Sequence, residues 1–369
     1  MGPRTPSASL AAALAGHRIV VVCGAGGVGK TTTSAALALH AALSGRRVLA
    51  CTIDPSRRLA TSLGLGHLSE KPQALDLSRL GRKGGGQLSA MVLDTKRTFD
   101  ALVERYAGSR DARTRILENR FYKQVSSALA GSHEYMAMEK LLELSADERF
   151  DLVVLDTPPT RHALDFLEAP DRLMSFLDAS ILRYFLRPYF VAGRLTLKVA
   201  TRTGAAALRL ADRYLGLQFL QDLSEFFLAF EGMYDGFKER AARVHALLRG
   251  PGCGFVLVAT ASSQALNEAR YFHRRLVEKK MPFVGFVVNR THPEPAGRRP
   301  SRGGDVAVDA ELAVRLAELY RDQDRLARAE RRLLNRLEVD LDEPLVTIPE
   351  FEGDVHDLRG LRDFAGTIF

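Results

Sequence analysis

The sequence predicts an α/β fold, a doubly wound and mostly parallel sheet carrying a helical insertion. Short apolar runs rich in β-branched residues recur along the 369 residues, as strands buried on both faces do. The first run enters a glycine loop, then a helix, then a second strand, and a β-loop-α-β unit of this kind makes the sheet parallel. Between about 171 and 250 no strand run occurs, and apolar residues recur three and four apart.

The elements follow in order. An apolar stretch over 10–14 feeds directly into 18–23 with no cleavage region between them, so it reads as helix then strand, not as a signal peptide. The strand over 19–23 ends in glycine. A helix over 32–44, rich in alanine and leucine, closes at Gly45 and gives way to a strand over 48–53. A helical block of mixed charge spans 97–144, and a third buried strand occupies 152–155. Leu173, Phe176, Leu177, Ile181, Leu182 and Phe185 set the helical period of the insertion. Strands over 255–259 and 283–288 follow, then a loop over 293–305 rich in proline, glycine and arginine. The C-terminal 353–369 alternates charges with leucines, the pattern of a docked helix. No repeat of fixed period occurs. The expectation is one domain over 1–369, its core formed by about 17–170 and 251–369 and its helical subdomain by about 171–250.

Composition narrows the function classes. Apolar residues make up 46% and charged residues 26%, which fits a soluble globular protein and neither a disordered nor a membrane class. The net charge of +8 is spread over scattered arginines balanced by nearby acids, not the basic patch of a nucleic-acid binder. Arg183, Arg187 and Arg194 interrupt the most apolar region, so no segment reaches the roughly 18 to 20 apolar residues of a membrane span. Cys23, Cys51 and Cys253 form no C-x-x-C pair, which argues against a zinc knuckle or a disulfide framework and for a reducing cytoplasm.

The chemistry sits in residues 24–31, Gly-Ala-Gly-Gly-Val-Gly-Lys-Thr, which match G-x-x-x-x-G-K-[ST] at every fixed position between a strand and a helix. Gly24, Gly26, Gly27 and Gly29 let the backbone around Val28 curl until its N–H groups face phosphates, and the helix N-terminus at Thr31 and Thr32 adds partial positive charge. Lys30 would bridge the β- and γ-phosphates, and Thr31 would hold magnesium. The same glycines also spell G-x-G-x-x-G, with Asp54 ending the second strand where a ribose-binding acid belongs. A dinucleotide site needs neither Lys30-Thr31 nor the strand-end Asp156, and that favours the P-loop. Asp156 is the Walker B candidate, orienting a water on magnesium, beside the reading of a strand-end acid that caps a turn.

These motifs resemble the ArsA-type ATPases, a family of arsenite-pump subunits and tail-anchored-protein targeting factors within the wider MinD and ParA class. The resemblance covers nearly the whole chain and rests on 24–33, on Thr52 to Pro55 as switch I, on 156–162 as switch II and on 287–290 near the adenine. It implies ATP and Mg2+ as cofactors, Asp54 positioning the attacking water, Asp156 in the magnesium shell and Asn289 bonding the adenine. It also implies a homodimer, or a heterodimer with a related ATPase. Two departures stand out. Ala25 occupies the position of the signature lysine that reaches the partner's nucleotide, and the zinc-clamping and arsenite-binding cysteines have no counterpart. A sister subunit supplying the lysine, or an arginine among Arg57, Arg58 and Arg161, would make good the first; ordinary solvated charge is the alternative for all three.

In targeting factors the insertion forms a groove for a hydrophobic client, which draws attention to an aromatic stripe over 219–237 that includes Phe226, Phe230, Met233 and Phe237. Internal packing is the competing reading, and only seven methionines in the chain argue for it. The expected function is magnesium-dependent ATP hydrolysis coupled to dimer opening and client handling. A hydrolysis-poor regulatory subunit paired with a sister ATPase is the alternative, and a partition ATPase of ParA or MinD type the second.

Overall fold

The computed structural model describes residues 6–54, 56–80, 85–125, 132–157, 168–169, 171, 222, 226, 233–293, 309–339 and 343–369. The chain divides into two compact units. One comprises Met1–Val92, Asp147–Ala163 and Leu248–Phe369, the other Leu93–Ala146 and Leu164–Leu247.

The first unit is built on a sheet of eight described strands: β1 (Ile19–Gly24), β2 (Arg47–Thr52), β3 (Gln73–Ala74), β4 (Gln87–Val92), β5 (Leu152–Asp156), β6 (Cys253–Thr260), β7 (Phe283–Thr291) and β8 (Leu345–Pro349). Their order is β3-β4-β2-β5-β1-β6-β7-β8, and every pair is parallel except the short β3 against β4. After β5 the chain resumes at β6 on the other side of β1, so the strand order reverses beside β1, where open α/β sheets bind ligands beyond their carboxyl ends. The expected α/β class and mostly parallel sheet are therefore present.

Central strands without polar interruption are legible, and β1 and β5 are buried along almost their whole length. β4 and β8 were not foreseen. β4 reads Gln-Leu-Ser-Ala-Met-Val, with polar residues breaking the apolar run, and lies next to the two-residue edge strand β3, while β8 is a five-residue strand at the other edge of the sheet. Edge positions need less continuous hydrophobicity.

Helix α1 (Pro6–Gly16) precedes β1, and α2 (Lys30–Leu43) joins β1 to β2. α2 begins two residues earlier than its alanine-rich run suggests, since Gly29 serves as its N-cap, and it ends at Ser44 with Gly45 in the left-handed region at φ 99°. Leu37, Leu39 and the surrounding alanines of α2 are fully buried in one continuous core with Val20, Val22, Val154, Val256 and Val258. The short α3 (Arg58–Ser62) follows β2.

In the second unit, α4 (Thr95–Tyr106), α5 (Arg110–Glu118), α6 (Arg120–Val125) and α7 (Ser132–Ser145) form the expected helical block, and α8 (Tyr234–Arg249) closes the insertion. Phe99, Tyr122, Tyr135, Phe226, Met233 and Phe237 make its core. Phe226, Met233 and Phe237 of the aromatic stripe are thus packed inside. Phe230 of the stripe, the periodic residues 173–185 and Arg161 lie outside the described residues.

Back in the first unit, α9 (Ser263–Glu278) packs on β6 and β7, and α10 (Ala310–Val339) leads to β8. The last helix, α11 (Leu358–Ile368), lies against α2 and buries Leu361, Phe364, Ala365 and Ile368, the docked helix that the leucine spacing predicts. Asp357 caps it by accepting from the Gly360 N–H at 2.7 Å. Residues 294–308, which hold most of the expected proline-rich loop, are outside the described set.

Candidate active site

The site forms at the carboxyl ends of β1, β2, β5 and β7, where the loop 24–31 turns from β1 into α2. At Gly24 a β-carbon would stand 2.1 Å from the Val258 carbonyl oxygen, so only glycine lets β1 end this close to β6. The Val28 side chain is buried beneath the loop, while Gly26 and Gly27 face outward with their backbone exposed. Gly29 sits at φ 95° and offers no side chain to cap α2, so the first N–H groups of that helix, at Lys30, Thr31 and Thr32, are uncapped by any side chain. Exposed loop amides followed by a helix start with no side-chain cap are an arrangement suited to an anion.

Lys30 folds back over the loop and donates to the Ala25 carbonyl at 2.7 Å. Burial lowers the Lys30 ammonium below its ordinary value; the Arg58 guanidinium pushes the same way, against the carboxylates of Asp156 and Asp54. The buried ammonium is thus bonded to a neutral carbonyl, with the Asp156 and Asp54 carboxylates as its nearby counter-charges.

Asp156 ends β5 and is buried. Thr31 donates to its Oδ2 at 2.9 Å, Thr52 to the same oxygen at 3.1 Å, and Ser34 reaches Oδ1 at 3.4 Å. Burial pushes its carboxyl up to about 6, while the Thr31 and Thr52 hydroxyls and Lys30 pull it down. From sequence, Thr52 stands only as the first residue of switch I, with no bond to Asp156 foreseen, and Ser34 has no assigned role. Thr52 pairs in register with Asp156 because β2 and β5 are neighbours, and a sequence does not say which strands are adjacent. Ser34 was legible in principle, lying three residues beyond Thr31 on one helix.

Asp54 follows β2, partly exposed, its Oδ1 accepting from the Ser56 N–H at 2.9 Å; Arg57 and Arg58 begin α3 with exposed side chains. Asn289, near the end of β7, is buried and donates from its amide nitrogen to the Val28 carbonyl at 3.0 Å. Lys30, Thr31, Asp156, Thr52, Asp54 and Asn289 therefore gather around one loop, although they span 260 positions of sequence from 30 to 289. The thiols of Cys23 and Cys253 are buried and pushed up to about 12 by that burial, the state of inert core residues.

The profile of the anion-transporting ATPases matches residues 17–324. The chain belongs to the ArsA family of anion-transporting ATPases. As a member of the ArsA family it is an ATPase. It is similar to an ATPase ASNA1 homolog 1 of Paramecium tetraurelia, 26% identical over 280 residues that cover 73% of this chain and 74% of that protein. An ATPase get3 of Schizosaccharomyces japonicus is 25% identical over 304 residues, 82% of this chain and 83% of the relative. A higher identity, 32% over 160 residues, links the chain to an ATPase ASNA1 homolog of Babesia bovis, but that match spans only 43% of this chain and 40% of the relative. Among the described residues of this ArsA-family chain, no helix is long and apolar enough to cross a membrane.

Proposed function

We propose that this chain binds ATP with magnesium, hydrolyses it, and couples the nucleotide state to the opening of a dimer that handles a client. The observation that supports the reading is the meeting of Thr31 and Asp156 beside the curled loop, a hydroxyl and a carboxylate oxygen that would face the end of a bound nucleotide's phosphates. Hydroxyl and carboxylate oxygens are hard donors, the type magnesium takes, with waters filling the remaining positions. Thr31 would hold the ion directly and Asp156 through its water shell. Bound there, magnesium would neutralise charge on the β- and γ-oxygens.

The protein's own groups have the remaining tasks. The N–H groups of residues 26–32 would cradle the β- and γ-phosphates. Lys30 would exchange the neutral Ala25 carbonyl for charged phosphate oxygens. Asp54 would orient a water for attack on the γ-phosphorus; the new P–O bond forms as the bond to the β,γ-bridging oxygen breaks, releasing ADP and phosphate. Asn289 would bond the adenine. The buried thiols of Cys23, Cys51 and Cys253, none of them in a disulfide, suit a reducing cytoplasm. The relatives named ATPase get3 and ASNA1 homolog support the ATPase reading. For the client, the helical insertion is the proposed seat.

Ala25 supports a second reading, a regulatory subunit that needs a sister ATPase for turnover. Its side chain is a methyl group packed against the core, which offers no charge to a partner's nucleotide. Steady-state hydrolysis by the purified chain, with and without magnesium, beside Lys30→Ala and Asp54→Asn, tests the first reading. Magnesium-dependent turnover lost in both variants is expected. Tight ATP binding without turnover would favour the second reading, and turnover restored about tenfold or more by Ala25→Lys would locate the defect at that position. No nucleotide binding at all would sink both.

A further inference from the structure

The Asn289 side chain does more in this structure than await a base. Its Nδ2 donates to the carbonyl of Val28, inside the loop, at 3.0 Å, and its Oδ1 accepts from the Arg290 N–H at 2.9 Å. The second bond fixes the plane of the amide, and the first pins the loop to β7 two residues before α2 begins. The fit at that point is tight. A β-carbon on Gly29 would stand 2.2 Å from Asn289 Nδ2, and Gly29 holds φ 95°. The left-handed turn that starts α2 is thus closed over the Asn289 amide. Arg290 is itself left-handed at φ 57°, an uncommon state for a residue with a side chain, and it turns its N–H toward Asn289 Oδ1.

We propose that Asn289 is a positioning residue for the phosphate loop: one N–H of its amide fixes the turn at Val28 and Gly29, leaving the other N–H for the base. Base recognition and loop geometry then rest on a single amide, and a bound adenine stiffens the group that shapes the phosphate cradle. A base-contact role alone requires only the second N–H and predicts no effect on a ligand that lacks a base. Removing the amide under this proposal frees the Val28 carbonyl, relaxes the Gly29 turn and weakens binding of phosphates even when no base is present. This inference rests on the phosphate-binding reading above, and its test separates the two.

Two measurements decide it. In the ligand-free protein, hydrogen exchange of the peptide spanning 24–34 is compared among wild type, Asn289→Ala and the near-isosteric Asn289→Asp, whose carboxylate keeps the shape but cannot donate to Val28. Both variants are expected to exchange faster there while peptides from α9 and α11 stay unchanged. Exchange in 24–34 equal to wild type in both variants would overturn the tether. In the second measurement, calorimetric titration with magnesium tripolyphosphate and with magnesium ATP is expected to show both ligands weakened about tenfold in Asn289→Ala, the scale of one net hydrogen bond to a fixed backbone group. Tripolyphosphate binding unchanged beside weakened ATP binding would leave Asn289 a base contact only and overturn the proposal. Should wild type bind neither ligand, the ATP reading fails, and the exchange comparison still decides the tether. Because Asn289→Asp retains the volume and packing of the native residue, a folding failure of Asn289→Ala leaves a usable variant.

Discussion

The carboxyl group of Asp156 accepts hydroxyl bonds from Thr31, Thr52 and Ser34 in a place almost closed to water, and the fold bears the cost of charging it there. A group that costs stability and sits against the phosphate loop is the usual mark of a functional site. Asp156→Asn is therefore expected to leave the ligand-free protein as stable as wild type or more so, because the hydroxyls can turn to meet a neutral amide. Magnesium-dependent ATP turnover should fall by about a hundredfold or more in the same variant. Thermal melting of the ligand-free proteins and a steady-state assay check the two halves; a destabilised Asp156→Asn would make the carboxylate a structural cap instead. Gly29→Ala belongs at this scale too. The added methyl meets the Asn289 amide at 2.2 Å in a left-handed turn, so it is expected to cost about 1–3 kcal/mol of stability and to weaken nucleotide binding together, read by urea denaturation and titration.

At the scale of elements, two contacts carry predictions. Within the helical unit, Arg240 of α8 pairs with Glu139 of α7, side chains 12% and 2% exposed, so both charges are nearly dry. Among the described residues, Glu139 Oε2 and Arg240 Nε have no hydrogen-bond partner. Arg240→Met would strand a buried carboxylate and is expected to cost about 3–5 kcal/mol, whereas Arg240→Met with Glu139→Leu should recover most of that loss. Denaturant titration of the two variants separates a costly pair from a stabilising one. On the nucleotide unit, Phe364 of α11 is 3% exposed against the Phe351 ring, with centroids 5.4 Å apart, and Phe364→Ala should cost about 3–5 kcal/mol by the same measurement. The leucine spacing of 353–369 made α11 legible, just as unbroken β-branched runs made β1, β5 and β6 legible and the fixed letters of 24–31 made the loop legible. What escaped was lateral information. The order of strands, the outer strands β3, β4 and β8, and the hydroxyl of Thr52 on Asp156 all depend on which segments lie side by side, and hydrophobic period along one segment does not encode that. Asn289 was read toward the adenine, and its bond to Val28 was hidden for the same reason.

The whole chain carries a net charge of +8, so acidification adds positive charge to an already cationic molecule and turns the remaining carboxylates into its chief counter-charges. Asp151, at the entry to β5, is held by Arg47 at the start of β2, whose guanidinium lies 2.6 Å from its Oδ1 and whose backbone N–H is 2.8 Å from its Oδ2. The Arg47 side chain and then its backbone N–H lower the Asp151 carboxyl from 3.8 to about 2. A carboxyl depressed in the folded state binds fewer protons there than in the unfolded chain, so its stabilising share is fully present above about pH 4 and is lost as pH falls toward 2. Asp147, lowered by its bond to Arg149, acts in the same direction. Both side chains of the Arg47–Asp151 pair are more than a third exposed, so solvent screening holds the effect of Asp151→Asn at neutral pH below about 1 kcal/mol. The informative quantity is slope. Between pH 4 and 2, the stability of Asp151→Asn should fall less steeply than that of wild type, and 1 M salt should narrow the difference by screening the pair. Chemical denaturation at closely spaced pH values reads the slope directly, and parallel acid limbs for the two proteins would show that the pair between β2 and β5 carries no part of the acid stability.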